Sequence, residues 1–149
     1  MSPDALFEVA NPFVLLGWAA LLFSPFWPRV ADGVATLLVP GVLAVAYVAL
    51  IAAYWGRAEG GGFGTLDEVA TLFAQRRVLL AGWLHYLAFD LLVGAMIVRQ
   101  ARALALPFWV VLPCLPLTFL FGPAGYLLFL GLRLAMRPGQ RAVDPVPTA

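Results

Sequence analysis

The chain has 149 residues, a net charge of +1 and 11% charged residues, while 63% of its residues are hydrophobic and its mean hydropathy is +0.94. Soluble proteins carry about a quarter charged residues, so this composition excludes an ordinary soluble domain and indicates an integral membrane protein surrounded by membrane lipids. Nucleic acid is excluded as a partner, because the nine basic residues, all arginines, form no basic stripe along which a phosphate backbone could lie.

Four apolar stretches are long enough to cross a bilayer, at roughly residues 6–23, 36–55, 78–98 and 105–135. At 1.5 Å per residue the first three match a hydrocarbon core about 30 Å thick, whereas the fourth is too long for one straight span. Pro113, Pro116 and the pair Gly122 and Pro123 predict a kink in it, because each proline removes a helical hydrogen bond. We therefore predict an all-α membrane protein with four transmembrane helices in a bundle over residues 1–137 and a disordered tail at 138–149.

The connection between the second and third spans contains three consecutive glycines, 60–62, followed by the segment TLDEVATLF. Leu66, Val69, Leu72 and Phe73 recur there at helical spacing. This pattern predicts a short amphipathic helix on the membrane surface before the third span.

The third span carries an acidic residue near its middle, Asp90, within GWLHYLAFDLLVG at residues 82–94. A charged Asp at the bilayer centre costs ~2.5–3.5 kcal/mol on insertion scales, so a function is favoured over chance. Helical spacing places Asp90 on one face with Trp83, Tyr86 and Gly94, and Gly94 allows a neighbouring helix to come close. An apolar environment favours a protonated carboxyl group, which suits a general acid or a proton carrier.

A structural role is the alternative for this carboxyl group. A protonated Asp90 could hydrogen-bond to Thr118 or Tyr126 on the fourth span and hold the bundle together, for about 1–2 kcal/mol. The sequence leaves both roles open.

Two further titratable residues could act with Asp90. His85, the only histidine, precedes Asp90 by five residues, which puts the two side chains about 140° apart around the helix, so they do not bond to each other directly. A lone histidine is more often a packing residue, but with Glu68 on a segment that could fold over the helix end, a proton-handling trio of Glu68, His85 and Asp90 is predicted. Asn11, near the start of the first span, is interpreted as an interfacial or pocket residue.

Neither a metal nor a cofactor is predicted. Glu68, His85 and Asp90 offer one nitrogen ligand at a spacing that fits no familiar metal site. The single cysteine, Cys114, has no partner for a disulfide. An apolar chain of this kind accommodates a bound lipid.

Several segments together resemble the membrane proteins related to abscisic-acid-deficient protein four. They are ANPFVLLGW in the first span, LDEVATLF before the third, GWLHYLAFDLLVG at 82–94 and LPCLPLTFLFGPAG at 112–125. The family is tied in plants to the formation of neoxanthin from violaxanthin, and the resemblance covers about residues 5–133. It implies that Glu68, His85 and Asp90 occupy motif positions, as do Gly82 and the break at Gly122 and Pro123.

The resemblance implies an acid–base isomerisation of a carotenoid or related isoprenoid in a lipophilic pocket, with Asp90 and His85 as acid and base in an unassigned order. Two alternatives stay open: a small proton-coupled transporter that uses Asp90, and a non-catalytic carotenoid-binding or assembly protein, either of them as a homo-oligomer. We expect a bacterial inner-membrane protein, and for such a membrane the distribution of arginines predicts both termini in the cytoplasm.

Overall fold

The computed structural model describes residues 2–136, and the tail predicted at 138–149 lies outside them. Within this range the chain forms six helices and no strand. The helices are α1 (Pro3–Leu22), α2 (Pro28–Arg57), α3 (Leu66–Ala74), α4 (Arg76–Ala103), α5 (Phe108–Phe121) and α6 (Pro123–Ala135). Three of them, α1, α2 and α4, are long and apolar enough to cross a membrane. The all-helical membrane fold is thus confirmed.

Local sequence explains where these helices begin. The Ser2 hydroxyl accepts a hydrogen bond from the Ala5 amide at 3.2 Å and caps α1, with proline in its first turn. The hydroxyl of Thr65 accepts from the Glu68 amide at 3.2 Å and caps α3, the short helix that the amphipathic pattern indicates. Both caps use the free amides that every helix exposes in its first turn.

Helix α4 lies at the centre of the fold. Of its most apolar 18-residue stretch, 56% is buried, against 28% for α1 and 22% for α2. Helix α1 packs closely on α4 because two glycines remove side chains from the contact: Leu91 fills the space beside Gly17, and the Trp18 ring lies 2.8 Å from where a Cβ of Gly94 would be.

The chain reverses direction at Gly122. This residue has φ +34° and ψ −88°, a backbone conformation that favours glycine. Beyond it, Gly125 packs against the side chain and backbone of Thr118, and a Cβ at Gly125 would lie 2.7 Å from the Cys114 carbonyl oxygen. In a continuous helix residues 114 and 125 are separated by about 16 Å along the axis, so α6 must fold back along α5.

The predicted single, kinked fourth span is therefore replaced by a helical hairpin, which we call the α5–α6 hairpin. Its tip lies beside the middle of α4, where Gly122 contacts Asp90, and α6 then returns until Arg133 donates a hydrogen bond to Gln100 at 3.1 Å. The prolines and glycines do interrupt the helix, but a glycine with positive φ followed by a residue that has no amide hydrogen permits a reversal as readily as a kink.

The hairpin also decides where the two ends of the described range, residues 2 and 136, lie. Asp4 forms an ion pair with Arg76 at the start of α4, whereas Arg133 lies near the end of α4. The first helix of the described chain therefore begins at one end of α4, and the last helix ends at the other. This arrangement differs from the expectation that both termini share one face of the membrane.

Candidate functional site

The Asp90 side chain lies at the tip of the α5–α6 hairpin, only 9% exposed. It faces Gly122, where a Cβ would lie 2.5 Å from Asp90 Oδ1, so only glycine leaves room for the carboxyl group. Asp90 Oδ2 is buried without a hydrogen-bond partner among the described residues. An unsatisfied buried polar atom costs about 1–3 kcal/mol, which makes Asp90 an unusual residue to find in a membrane core.

Tyr86, one helical turn before Asp90, lies beside this carboxyl group. Its hydroxyl lies 3.0 Å from the carbonyl oxygen of Leu120 and 3.3 Å from that of Phe119 and can donate to one of them. These carbonyls lack the usual helical donors, because Pro123 has no amide hydrogen and the chain reverses after Gly122. Tyr86 therefore holds the hairpin tip in place next to Asp90.

A groove of about 510 Å³ lies on the other side of Tyr86, between α1, α4 and the hairpin tip. Its lining residues are Asn11, Pro12, Val14, Leu15, Trp83, Tyr86, Leu87, Phe119 and Leu120. The groove exists because α5 ends at the middle of α4, so no helix fills the space beside α1 and α4 beyond the tip. Tyr86 thus lies beside both the groove and Asp90, whereas Asp90 is not among the lining residues.

The groove contains one fixed polar contact besides Tyr86. Trp83 Nε1 donates a hydrogen bond to Asn11 Oδ1 at 2.9 Å, which joins α4 to α1 within the apolar segment of both helices. The Trp83 ring also packs against the Tyr86 ring in a tilted arrangement, with ring centroids 5.3 Å apart. Asn11, Trp83 and Tyr86 together form the polar part of the groove wall.

His85 and Glu68 lie outside this groove. His85 is on an exposed part of α4, stacked on Phe89 with ring centroids 4.4 Å apart and 5.6 Å from the Tyr47 ring. Glu68 Oε2 accepts a hydrogen bond from the Gly64 amide at 2.9 Å and closes the turn before α3. The structure thus brings Asp90 and Tyr86 together, but gives His85 and Glu68 separate surroundings.

The other residues that the sequence singled out have packing contacts. Thr118 is fully buried, but its hydroxyl donates to the Cys114 carbonyl at 2.7 Å. The hydrogen bond from Asp90 to Thr118 or Tyr126, expected for a structural role, is absent in residues 2–136. At Gly82, the Phe73 ring of α3 would lie 2.5 Å from a Cβ, so this glycine seats α3 on α4.

Sequence reasoning grouped Tyr86 with Asp90 but did not identify it as the residue between Asp90 and the groove. The signal was present in the Gly122 and Pro123 pair, which leaves carbonyls in need of a donor, but the donor could not be located without knowing that the chain reverses. For metal binding, the range 2–136 holds no cluster of three His, Cys, Asp or Glu side chains. The absence of a metal or cofactor stays a prediction.

Comparison with known proteins places these features in a family. No curated protein and no solved structure matches the chain. A family model described as ABA4-like, ABA DEFICIENT 4-like, matches residues 5–129, from the first turn of α1 to the middle of α6, and this range includes every residue that lines the groove. The chain belongs to the ABA4-like family.

Proposed function

We propose that this protein binds a carotenoid or a related isoprenoid in the groove beside Tyr86 and isomerises it by acid–base chemistry. The observation that carries the proposal is the buried, unpartnered carboxyl oxygen of Asp90 directly behind a tyrosine that lines a groove within the membrane. A carboxyl group that merely held helices together would be expected to have a hydrogen-bond partner. Membership of a family related to neoxanthin synthesis supports the substrate class.

By analogy with the plant reaction, the proposed isomerisation is a rearrangement without net redox change. A C–O bond of a carotenoid epoxide breaks while the epoxide oxygen gains a proton, and a vinylic C–H bond then loses its proton to leave an allene. The product has the same formula as the substrate, so no oxidant or co-reactant is needed. The protein must supply one proton to oxygen and accept one from carbon in a site without water.

Tyr86 and Asp90 together can supply the proton to the epoxide oxygen and accept the proton from carbon. The Tyr86 hydroxyl gives its proton to the epoxide oxygen and is reprotonated by Asp90, after which the pair recovers a proton from carbon. Asp90 acts through Tyr86, because Tyr86 lines the groove and Asp90 does not. We assign the base function to this pair rather than to His85 or Glu68, since neither of them lines the groove.

The membrane placement follows from the three long helices and the hairpin. We propose that α1, α2 and α4 span a bacterial inner membrane and that the hairpin enters from the face at which α4 ends. The face at which α4 ends has four arginines of the described chain, which are Arg29, Arg99, Arg102 and Arg133. The opposite face has three, which are Arg57, Arg76 and Arg77. The positive-inside rule then favours the cytoplasm for the face with four.

The test is conversion of a 5,6-epoxycarotenoid by the purified protein in mild detergent, with products separated by chromatography. We expect Tyr86→Phe and Asp90→Asn to slow formation of the allenic product at least about 100-fold, the usual contribution of a positioned acid or base. Both variants should still bind the polyene, measured by quenching of Trp83, which lines the groove. Tyr126→Phe, on α6 and outside the groove lining, is the matched control and should convert like the unmodified protein.

Three results would count against the proposal in different ways. Conversion by Tyr86→Phe at the unmodified rate would refute the Tyr86–Asp90 pair. Binding without conversion by the unmodified protein would favour a carotenoid-binding or assembly protein. Failure of any polyene to quench Trp83 would refute the groove as the binding site.

A further inference from the structure

We propose that Asn11, oriented by Trp83, selects the ligand by donating a hydrogen bond to an oxygen on the end group of the ligand. The apolar chain of the ligand then extends along α1 towards Leu22. This inference rests on the proposed function and specifies the ligand as an isoprenoid with an oxygen-bearing end. It also fixes the direction in which the ligand lies.

The orientation of the Asn11 amide is determined by its partner. An indole nitrogen can only donate a hydrogen bond, so the atom that Trp83 Nε1 contacts at 2.9 Å must be the Asn11 oxygen. The Asn11 NH₂ group must therefore point away from Trp83, with two hydrogens to donate. Asn11 lines the groove, so these donors are available to a molecule within it.

The position of Asn11 within the membrane makes such a donor costly to leave unused. Trp83 precedes Asp90 by seven residues, about 10 Å along α4, and both lie within the apolar stretch 78–98. Lipid tails offer no hydrogen-bond acceptor at this depth. A ligand oxygen, as a hydroxyl, carbonyl or ether, is the acceptor that satisfies the amide.

Asn11 and Tyr86 line the same groove, so one end group can contact both. Trp83, which holds Asn11, precedes Tyr86 by three residues, a rise of about 4.5 Å. One oxygenated ring can thus place one oxygen at Asn11 and a second, reacting oxygen at the Tyr86 hydroxyl. This arrangement would position the reacting bond by contact with a group that does not itself react.

The direction of the chain follows from the neighbouring part of the groove. A second section of about 390 Å³ adjoins the first, since Leu15 and Phe119 line both. Its lining residues are Leu15, Trp18, Leu22, Leu112, Leu115, Pro116 and Phe119. Apart from the indole nitrogen of Trp18, the side chains of these described residues carry no polar group, so this section suits hydrocarbon. On the other side of Asn11 the groove meets the Asp4–Arg76 ion pair instead.

The experiment compares a C40 carotene hydrocarbon with the same carotene bearing one ring hydroxyl, each titrated into the protein in mild detergent. Quenching is followed in a protein that retains only Trp18, in the apolar section, and Trp83, with the other three tryptophans replaced by phenylalanine. In its Trp83→Phe variant only Trp18 emits, and in its Trp18→Phe variant only Trp83 emits. We expect the hydroxylated carotene to bind at least about tenfold more tightly to the protein with Asn11 and Trp83.

Two variants test the cause of this preference. Asn11→Leu should lose the preference for the hydroxylated carotene while still binding the hydrocarbon. Trp83→Phe should weaken this preference, because the Asn11 amide is then free to rotate. Gln100→Leu, which removes an amide on α4 that bonds Arg133 outside the groove, is the matched control and should keep the preference.

The outcomes separate this inference from the proposed function. An equal preference for the hydroxylated carotene in Asn11→Leu and in the unmodified protein would overturn the role of Asn11. Quenching of Trp83 without quenching of Trp18 would overturn the proposed direction of the apolar chain. Either result leaves the groove as a binding site. Absence of quenching by both carotenes would overturn the proposed function and this inference with it.

Discussion

Replacing Gly125 with alanine tests the α5–α6 hairpin directly. A Cβ at this position would overlap the Thr118 side chain and backbone and would lie 2.7 Å from the Cys114 carbonyl oxygen. Two of these neighbours are backbone atoms, which cannot rotate away, so α6 must move off α5. In a straight or kinked fourth span no such neighbours would exist.

The size of the effect can be worked out by comparison with Gly131 on the same helix. Overpacking costs about 1–3 kcal/mol, and contact with backbone places Gly125→Ala at the upper end, about 3 kcal/mol or more. At Gly131 nothing lies within 4 Å of an added Cβ, so alanine there should be neutral or stabilise by up to about 1 kcal/mol through helix propensity. We expect the two variants to differ by about 3–4 kcal/mol.

The assay is reversible unfolding in mixed micelles with increasing SDS, followed by circular dichroism at fixed lipid composition. The free energy of unfolding is compared for the unmodified protein, Gly125→Ala and Gly131→Ala. Equal values for the two variants would show that α6 does not pack on α5, and the hairpin would then be wrong.

Two other predictions concern sidedness and Glu68. In a Cys114→Ala background, single cysteines introduced at Ala135 and at Ala58 should react with an impermeant thiol reagent from opposite sides of sealed vesicles. The reason is that α6 returns to the face at which α4 ends. Labelling of both cysteines from one side would contradict the hairpin. Glu68→Ala should leave the rate of carotenoid conversion within about threefold of that of the unmodified protein. It should speed amide hydrogen exchange in residues 62–74, because it removes the hydrogen bond to the Gly64 amide. A loss of about 100-fold in the conversion rate would instead assign Glu68 to the chemistry.

Much of the fold follows from local physical chemistry that the sequence displays. The apolar stretches at 6–23, 36–55 and 78–98 predict α1, α2 and α4, because only a helix satisfies the backbone inside lipid. The helical spacing of Leu66, Val69, Leu72 and Phe73 likewise predicts α3. The cost of a carboxyl group in hydrocarbon singled out Asp90 without any structure.

Other features depend on contacts between residues that are distant in the chain. Whether a glycine and proline pair kinks a helix or reverses it depends on what the second half packs against, and here Gly125 fits only against Thr118 and Cys114. That contact separates the fourth apolar stretch into two helices and so opens the groove on α1. It also brings the Leu120 carbonyl to the Tyr86 hydroxyl.

In the candidate site, too, some features follow from the sequence and others depend on tertiary packing. Helical periodicity put Tyr86 and Asp90 on one face of α4 and His85 on another, since 100° per residue holds in any helix. Which of them lines the groove was decided by the hairpin tip, which covers Asp90 and leaves Tyr86 on the groove wall. The sequence determined which groups the helix carries, and tertiary packing decided which one lipid or ligand can reach, because access is a property of the neighbours and not of the helix itself.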